Sequence, residues 1–271
     1  LGDVYNRQAQ WSHNRYRIYY PKTMGDAVWS MYDYNRGCCD NICYSGVADI
    51  FRLPKFSLSF FRTQIAEGSM LPSGKMPYEV FIPAYRDEIL SETVMVYGNV
   101  DEVELVLNGK TIRRQTADKG PDSDYIPVPN GGNGKNLHFP PFTFYGVPKE
   151  RGVLKAVGYH QGKKVAEYTV KTPGVPERLD ITYFESGKPA TKNDLLIVYV
   201  RMLDKQGVLC PVNGIPVELS VQGGEIVGPT SYPLEAGVAS FLVRTGEISK
   251  ININATGKGF STRKSLKVGK E

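Results

Sequence analysis

Gly25-Asp26-Ala27-Val28-Trp29-Ser30-Met31-Tyr32-Asp33-Tyr34-Asn35-Arg36-Gly37 decides how this chain is read. An apolar run between glycines suits a β-strand buried on both faces, which here runs into a polar, aromatic loop. Side chains alternate along a strand, so Ala27, Trp29, Met31 and Asp33 should lie on one side and Val28, Ser30, Tyr32 and Tyr34 on the other. Upstream, residues 3–20 contain no Pro or Gly, Asp3 can cap the start and Pro21 follows the end, which predicts a helix. Downstream, Asn35 to Gly46 reads as loop. Residues 47–66 predict a second helix entered through Leu53-Pro54, because proline fits a first helical turn. Phe56, Ser59, Phe60 and Thr63 would form its packing face. Helix, strand, loop and helix follow the grammar of a parallel α/β structure. A closed barrel of eight such units takes ~250 residues, and one unit is present here.

Composition changes at Gly68-Ser69-Met70-Leu71-Pro72-Ser73-Gly74, and the chain becomes strand-like. Val103, Leu105 and Leu107 alternate with Glu102, Glu104 and Val106, and Asn108-Gly109 makes a hairpin turn. Gln161-Gly162 joins two further runs, 153–159 and 164–170. Between them, residues 118–148 are rich in Gly, Pro and Asn, and a loop of this length is either functional or mobile. Its Asp118, Asp122 and Asp124 fit no complete calcium-loop spacing and are read as turn residues. Residues 172–176 read as a linker. Beyond it the alternation is cleaner: Ile215, Val217, Leu219 and Val221 on one face, then Ile251, Ile253 and Ala255. Runs of short strands with frequent turns indicate sandwiches of ~100 residues.

The 271 residues carry a formal charge of +5, with lysines and arginines scattered. No basic stripe supports a nucleic-acid partner, and no apolar run is long enough to span a membrane. The sequence opens at Leu1 inside helix-like residues and is read as a piece of something longer. Of the four cysteines, Cys38, Cys39 and Cys43 cluster in the loop after the organising strand. They are read as free thiols, with a Cys39–Cys43 or Cys38–Cys43 disulfide as the alternative; no metal is expected, because no second Cys/His pair follows at zinc-site spacing.

No P-loop, dinucleotide fingerprint, His-Glu-x-x-His or nucleophile elbow is present, so no cofactor is expected. His13, His138 and His160 have no local support for a Ser-His-Asp arrangement. Paired carboxylates remain, the requirement of glycoside hydrolysis. Among Asp26, Asp33, Asp40 and Asp49, Asp33 is best placed, at the C-terminal end of the strand where barrel enzymes build their sites; the alternative is a loop hydrogen bond. Trp29 suits stacking on the apolar face of a sugar ring, with core packing as its alternative.

Residues 25–37 followed by SGVADIFRLPKFSLSFFRTQ (residues 45–64) resemble the end of the catalytic barrel in glycoside hydrolase family 2. In that family the last barrel helix carries a pattern matched here by Asp49, Arg52, Pro54, Lys55, Ser57 and Phe60. Residues 96–110 and 152–174 resemble the sandwich that follows the barrel, and residues 194–229 the terminal bacterial Ig-like domain. The resemblance implies a mainly β fold: two Ig-like sandwiches, 69–173 and 174–271, preceded by a helix-strand-helix remnant of a (β/α)8 barrel, 1–68. It implies that Trp29 floors a sugar subsite and that Asp33, Tyr34, Asn35 and Arg36 shape it. It places both catalytic glutamates before Leu1, so no catalytic residue is expected here. It further implies a carbohydrate substrate, a periplasmic or extracellular location, and no turnover by this chain alone. The incomplete barrel face could pair two chains. The competing expectation is a non-catalytic carbohydrate-binding or adhesion module using Tyr125, Phe142 and Phe144.

Overall fold

The computed structural model describes residues 29–37, 42–84, 91–118, 137–184 and 187–269. The expected helix over 3–20 lies outside these residues, as do Asp26, Cys38, Cys39, Asp40 and Tyr125. The chain is mainly β. After the 29–55 segment come α1 (Phe56–Thr63), β1 (Met70–Leu71), β2 (Gly74–Lys75), β3 (Val80–Phe81), β4 (Val94–Gly98), β5 (Glu102–Leu107), β6 (Lys110–Thr116), β7 (Phe142–Phe144), β8 (Val153–His160) and β9 (Lys163–Lys171). These belong to one compact unit, which ends at Lys171. A second begins at Thr172 and holds β10 (Pro176–Tyr183), β11 (Leu195–Asp204), β12 (Pro216–Gln222), β13 (Gly224–Ile226), β14 (Ser231–Pro233), β15 (Val238–Thr245), β16 (Lys250–Gly257) and β17 (Phe260–Lys267).

In the first unit, sheets ordered β3-β4-β7 and β6-β5-β8-β9 enclose an apolar core. Period-two alternation places Val103, Leu105 and Leu107 in that core and leaves Glu102 and Glu104 on the outer face. Asn108 and Gly109 both take positive φ, as a two-residue hairpin loop requires. The 137–147 part of the expected long loop is not loose. Its β7 inserts into the core with Phe142 and Phe144 fully buried. Two side chains pin this stretch. Asp118 accepts the Thr143 N–H and the Thr143 hydroxyl, and Gln64 exchanges two bonds with the Phe139 backbone, at 2.9 and 3.3 Å. Phe142 and Phe144 are therefore core residues. They cannot serve as exposed ligand-stacking aromatics, because hydrophobic burial has already consumed both ring faces.

The expected helix over 47–66 shrinks to the eight residues of α1. The backbone of 47–55 is committed elsewhere: Ala48 N–H to Met31 O, Lys55 N–H to Val47 O, and Asp49 with Leu53 in a tight turn. Arg52 adopts φ 67° there, outside the helical region. Pro54, placed by sequence in the first helical turn, instead precedes the extended cap residue Lys55 and bridges Ala48. One face of α1 packs on the first sandwich. Phe60, fully buried, meets Tyr97 edge-on at 5.1 Å, and Phe56 meets Phe81 at 5.6 Å. Arg62 pairs with Glu79, and the buried Asn99 amide ties Ile65 and Pro77 carbonyls to the Glu79 N–H.

The second unit stacks β10-β11-β15-β13 on β14-β12-β16-β17. Val217 and Leu219 of β12 and Ile251, Ile253 and Ala255 of β16 enter its core, while Glu218 and Ser220 stay outside. Asp204 closes one end. Its buried carboxylate accepts the N–H groups of Gly174, Gln206 and Val208 at 2.7–2.9 Å. Burial alone would raise its pKa, but these backbone donors outweigh burial and hold the carboxyl below its ordinary value.

Candidate functional site

Residues 29–34 do not form a regular strand. They run beside 43–48, with a parallel bridge between Tyr32 and Ala48 and an antiparallel one between Tyr34 and Cys43. Asp33 N–H donates to Ala48 O, Ala48 N–H to Met31 O and Val47 N–H to Ser30 O, all near 3.0 Å. Among the described residues this is their one backbone partner, so the segment is covered on one side. Within this chain Trp29 is 74% exposed and Met31 64%, while Asp33 is buried. The Trp29–Ser30 peptide is cis.

Asp33 faces inward. Its Oδ1 accepts the Gly46 N–H at 2.8 Å and the Lys55 ammonium at 2.6 Å. The same ammonium donates to the Tyr44 carbonyl at 3.0 Å. Asp33 thus braces the site from behind. Gly46 is tied to this contact by space: a Cβ there would lie 2.3 Å from Asp33 N and 2.5 Å from Ala48 O. Asp49, the other described acidic candidate, spends its Oδ1 on the Leu53 N–H, and burial raises its pKa.

On the outward side Tyr34 is the hub. Its hydroxyl accepts the Trp29 indole N–H at 2.8 Å and the Arg36 Nε–H at 3.4 Å, and the Trp29 and Tyr34 rings stand edge-on at 6.0 Å. Asn35 accepts the Gly37 N–H and so folds the turn that presents Arg36. Cys43 is a free thiol; its expected alternative partners, Cys38 and Cys39, lie outside the described residues. Its Sγ lies 3.3 Å from Ser45 Oγ. The Ser45 hydroxyl lowers its pKa most; burial, next in weight, opposes it, and the Tyr34 hydroxyl, the Ser45 backbone and the Arg36 charge add to the lowering.

The structure thus brings Trp29, Tyr34 and Arg36 together on one exposed surface and sets Asp33 beneath it. An indole edged by a hydroxyl that also accepts from a guanidinium offers an apolar plate with a polar flank. Gly46, Lys55, Cys43 and Ser45 complete the arrangement without having been singled out as site residues. Lys55 carried a signal, a charge at the mouth of an apolar segment; Gly46 carried none, because its constraint comes from a chain crossing. Among the described residues no group of three or more His, Cys, Asp or Glu is placed to hold a metal ion. Nor is any described helix long and apolar enough to cross a membrane.

Residues 91–166, spanning β4 to the middle of β9, match a family described as a domain of unknown function (DUF4982). A β-galactosidase of Thermoanaerobacter pseudethanolicus is 32% identical over 241 residues, covering 83% of this chain and 30% of that protein. A β-galactosidase of Rhizobium radiobacter is 30% identical over 129 residues, covering 47% of this chain and 92% of that sequence. A crystal structure of a β-glycosidase from Bacteroides vulgatus superposes with a TM-score of 0.74 at 17% identity, over 95% of this chain and 32% of that one; it shares the fold. The chain spans about a third of the length of the first of these relatives and of this structure. With the sandwich order, the aromatic wall and these matches agreeing, the chain belongs to glycoside hydrolase family 2, the family of the β-galactosidases and β-glucuronidases.

Proposed function

We propose that this chain is the C-terminal part of a retaining exo-glycosidase of β-galactosidase type, acting on terminal β-glycosides outside the cytoplasm. The two glutamates of the reaction lie on chain preceding Leu1. One protonates the leaving oxygen while the other forms a covalent glycosyl-enzyme, which water then hydrolyses. This chain supplies one wall of the sugar pocket, as the closing piece of a (β/α)8 barrel. Trp29 stacks on the C–H face of the sugar. Tyr34, with both N–H donors directed at its oxygen, turns its own proton outward, and Arg36 and Asn35 border the ring. Asp33 holds the wall rather than touching the sugar.

The observation that carries this reading is the Trp29 indole, fixed in orientation by its N–H on the Tyr34 hydroxyl and edge-on to the Tyr34 ring. An indole held in this way, with Arg36 on the same hydroxyl, can offer its apolar face to a sugar. Two further relatives are named β-galactosidase and a third “putative β-glucuronidase”, which supports the substrate class. The test uses a nitrophenyl β-galactoside. The whole protein should hydrolyse it, Trp29→Ala should lower kcat/KM by about tenfold or more, and residues 1–271 alone should show no turnover. Robust hydrolysis by residues 1–271 alone would overturn the division of labour.

A further inference from the structure

We propose that Lys55 is a positioning residue for the sugar-facing wall. Its ammonium bridges the buried Asp33 carboxylate and the Tyr44 carbonyl, locks the 29–37 wall to the 43–46 rim, and so sets where Trp29 and Tyr34 stand. The inference rests on the glycosidase reading above.

The geometry carries it. Lys55 Nζ reaches two acceptors on two different segments, Asp33 Oδ1 at 2.6 Å and Tyr44 O at 3.0 Å. An ammonium can do this because its three donors rotate about a compact charge; a planar guanidinium cannot be swapped in without moving one segment. The Asp33 side chain is 3% exposed and that of Lys55 20%, so this is an inward pair whose loss strands a carboxylate in the protein. Breaking one member of such a pair is far more disruptive than removing both. The base of the brace is firm. Lys55 N–H donates to Val47 O, and the residue is the extended cap of α1, which Phe60 and Phe56 anchor in the first sandwich. The top of the brace is the wall itself. Asp33 directly precedes Tyr34, whose backbone exchanges two bonds with Cys43 on the rim, and whose hydroxyl fixes Trp29. A continuous path of contacts therefore runs from the sandwich core through α1 and Lys55 to the surface that meets the sugar.

The test compares Lys55→Met, Lys55→Arg and the double variant Lys55→Met/Asp33→Asn in the whole glycosidase. Lys55→Met should raise KM for nitrophenyl β-galactoside about tenfold or more while changing kcat far less. The double variant removes the stranded charge yet keeps an oxygen for the Gly46 N–H, and should return KM to within about threefold of wild type. Lys55→Arg should fall between. Each variant is also made with Trp29→Phe, and the difference between the paired emission signals isolates Trp29 from the other tryptophans of the whole protein. Acrylamide quenching of Trp29 should rise in Lys55→Met and recover in the double variant. Unchanged KM and quenching in Lys55→Met would overturn the proposal. So would a raised KM that the double variant fails to rescue and that tracks a lowered urea midpoint, since that pattern means general destabilisation. If the wild-type protein hydrolyses no β-glycoside, the glycosidase reading falls alone, and the quenching series still decides for or against the brace.

Discussion

Replacing Gly46 with alanine tests the wall directly, because the obstacle is backbone and not a side chain that can turn away. The added Cβ would lie 2.3 Å from both Asp33 N and Tyr32 C and 2.5 Å from Ala48 O. Real Cβ contacts scarcely fall below 3.0 Å, so the 29–34 and 43–48 segments must part by about 0.7 Å. Two ladder bonds now at 3.0 Å, Asp33 N–H to Ala48 O and Ala48 N–H to Met31 O, would then stretch beyond hydrogen-bond range. The Gly46 N–H to Asp33 bond would go with them. At about 1 kcal/mol for each neutral bond and about 1.5–3 kcal/mol for the charged one, the local cost is about 3–5 kcal/mol. Hydrogen exchange read by mass spectrometry should report it as at least ~100-fold faster exchange of the Cys43, Gly46, Val47 and Ala48 amides, since ~1.4 kcal/mol is a factor of ten. Gly37→Ala is the control. Gly37 sits at φ 71° with nothing within 4 Å of an added Cβ, so it meets only the left-handed backbone penalty of about 1 kcal/mol. Exchange in Gly46→Ala within threefold of wild type, or equal damage from the two substitutions, would refute the reasoning.

Phe60→Ala should lower the stability of the first unit by about 3–5 kcal/mol, seen as a fall in urea midpoint, because it empties a fully buried site against Tyr97 and Phe61. For Asp204 the folded-state pKa is depressed, so its stabilising contribution is complete above the unfolded value near ~3.9 and is lost as pH falls through the lower folded value. Thermal unfolding between pH 7 and pH 2 should show this acid loss in wild type and a flatter profile in Asp204→Ala. Glu167, held low by Lys164 on an exposed sheet face, should contribute little: Glu167→Gln should leave the urea midpoint unchanged, as removal of exposed pairs does.

The sandwiches were legible because a two-residue period is a property of the sequence alone. Val103, Leu105 and Leu107, or Ile251, Ile253 and Ala255, announce a buried face whatever surrounds them. The same rule failed at Phe142 and Phe144, where three consecutive residues, Phe142, Thr143 and Phe144, are all buried and no alternation marks the strand. It failed again at 47–55. Pro54 disfavours helix at the residue before it, and the backbone of Val47 and Ala48 is held out of a helix by hydrogen bonds to residues 30–33, a dozen or more positions away.

Residue types and a family resemblance are what propose Trp29, Tyr34, Asn35 and Arg36 as a sugar wall. They do not say how the side chains are held. Alternation placed Asp33 beside Trp29 on one face, yet the structure buries the carboxylate and exposes the indole. The segment pairs through isolated bridges instead of a full strand, so the two-residue period loses its hold. By itself the sequence determined the mainly β architecture, the hairpins and the aromatic composition of the wall, because local periodicity and turn chemistry encode them. Tertiary structure alone decided that the Asp33 carboxylate turns inward, since that choice depends on where the Lys55 ammonium and the Gly46 amide arrive after the chain has doubled back.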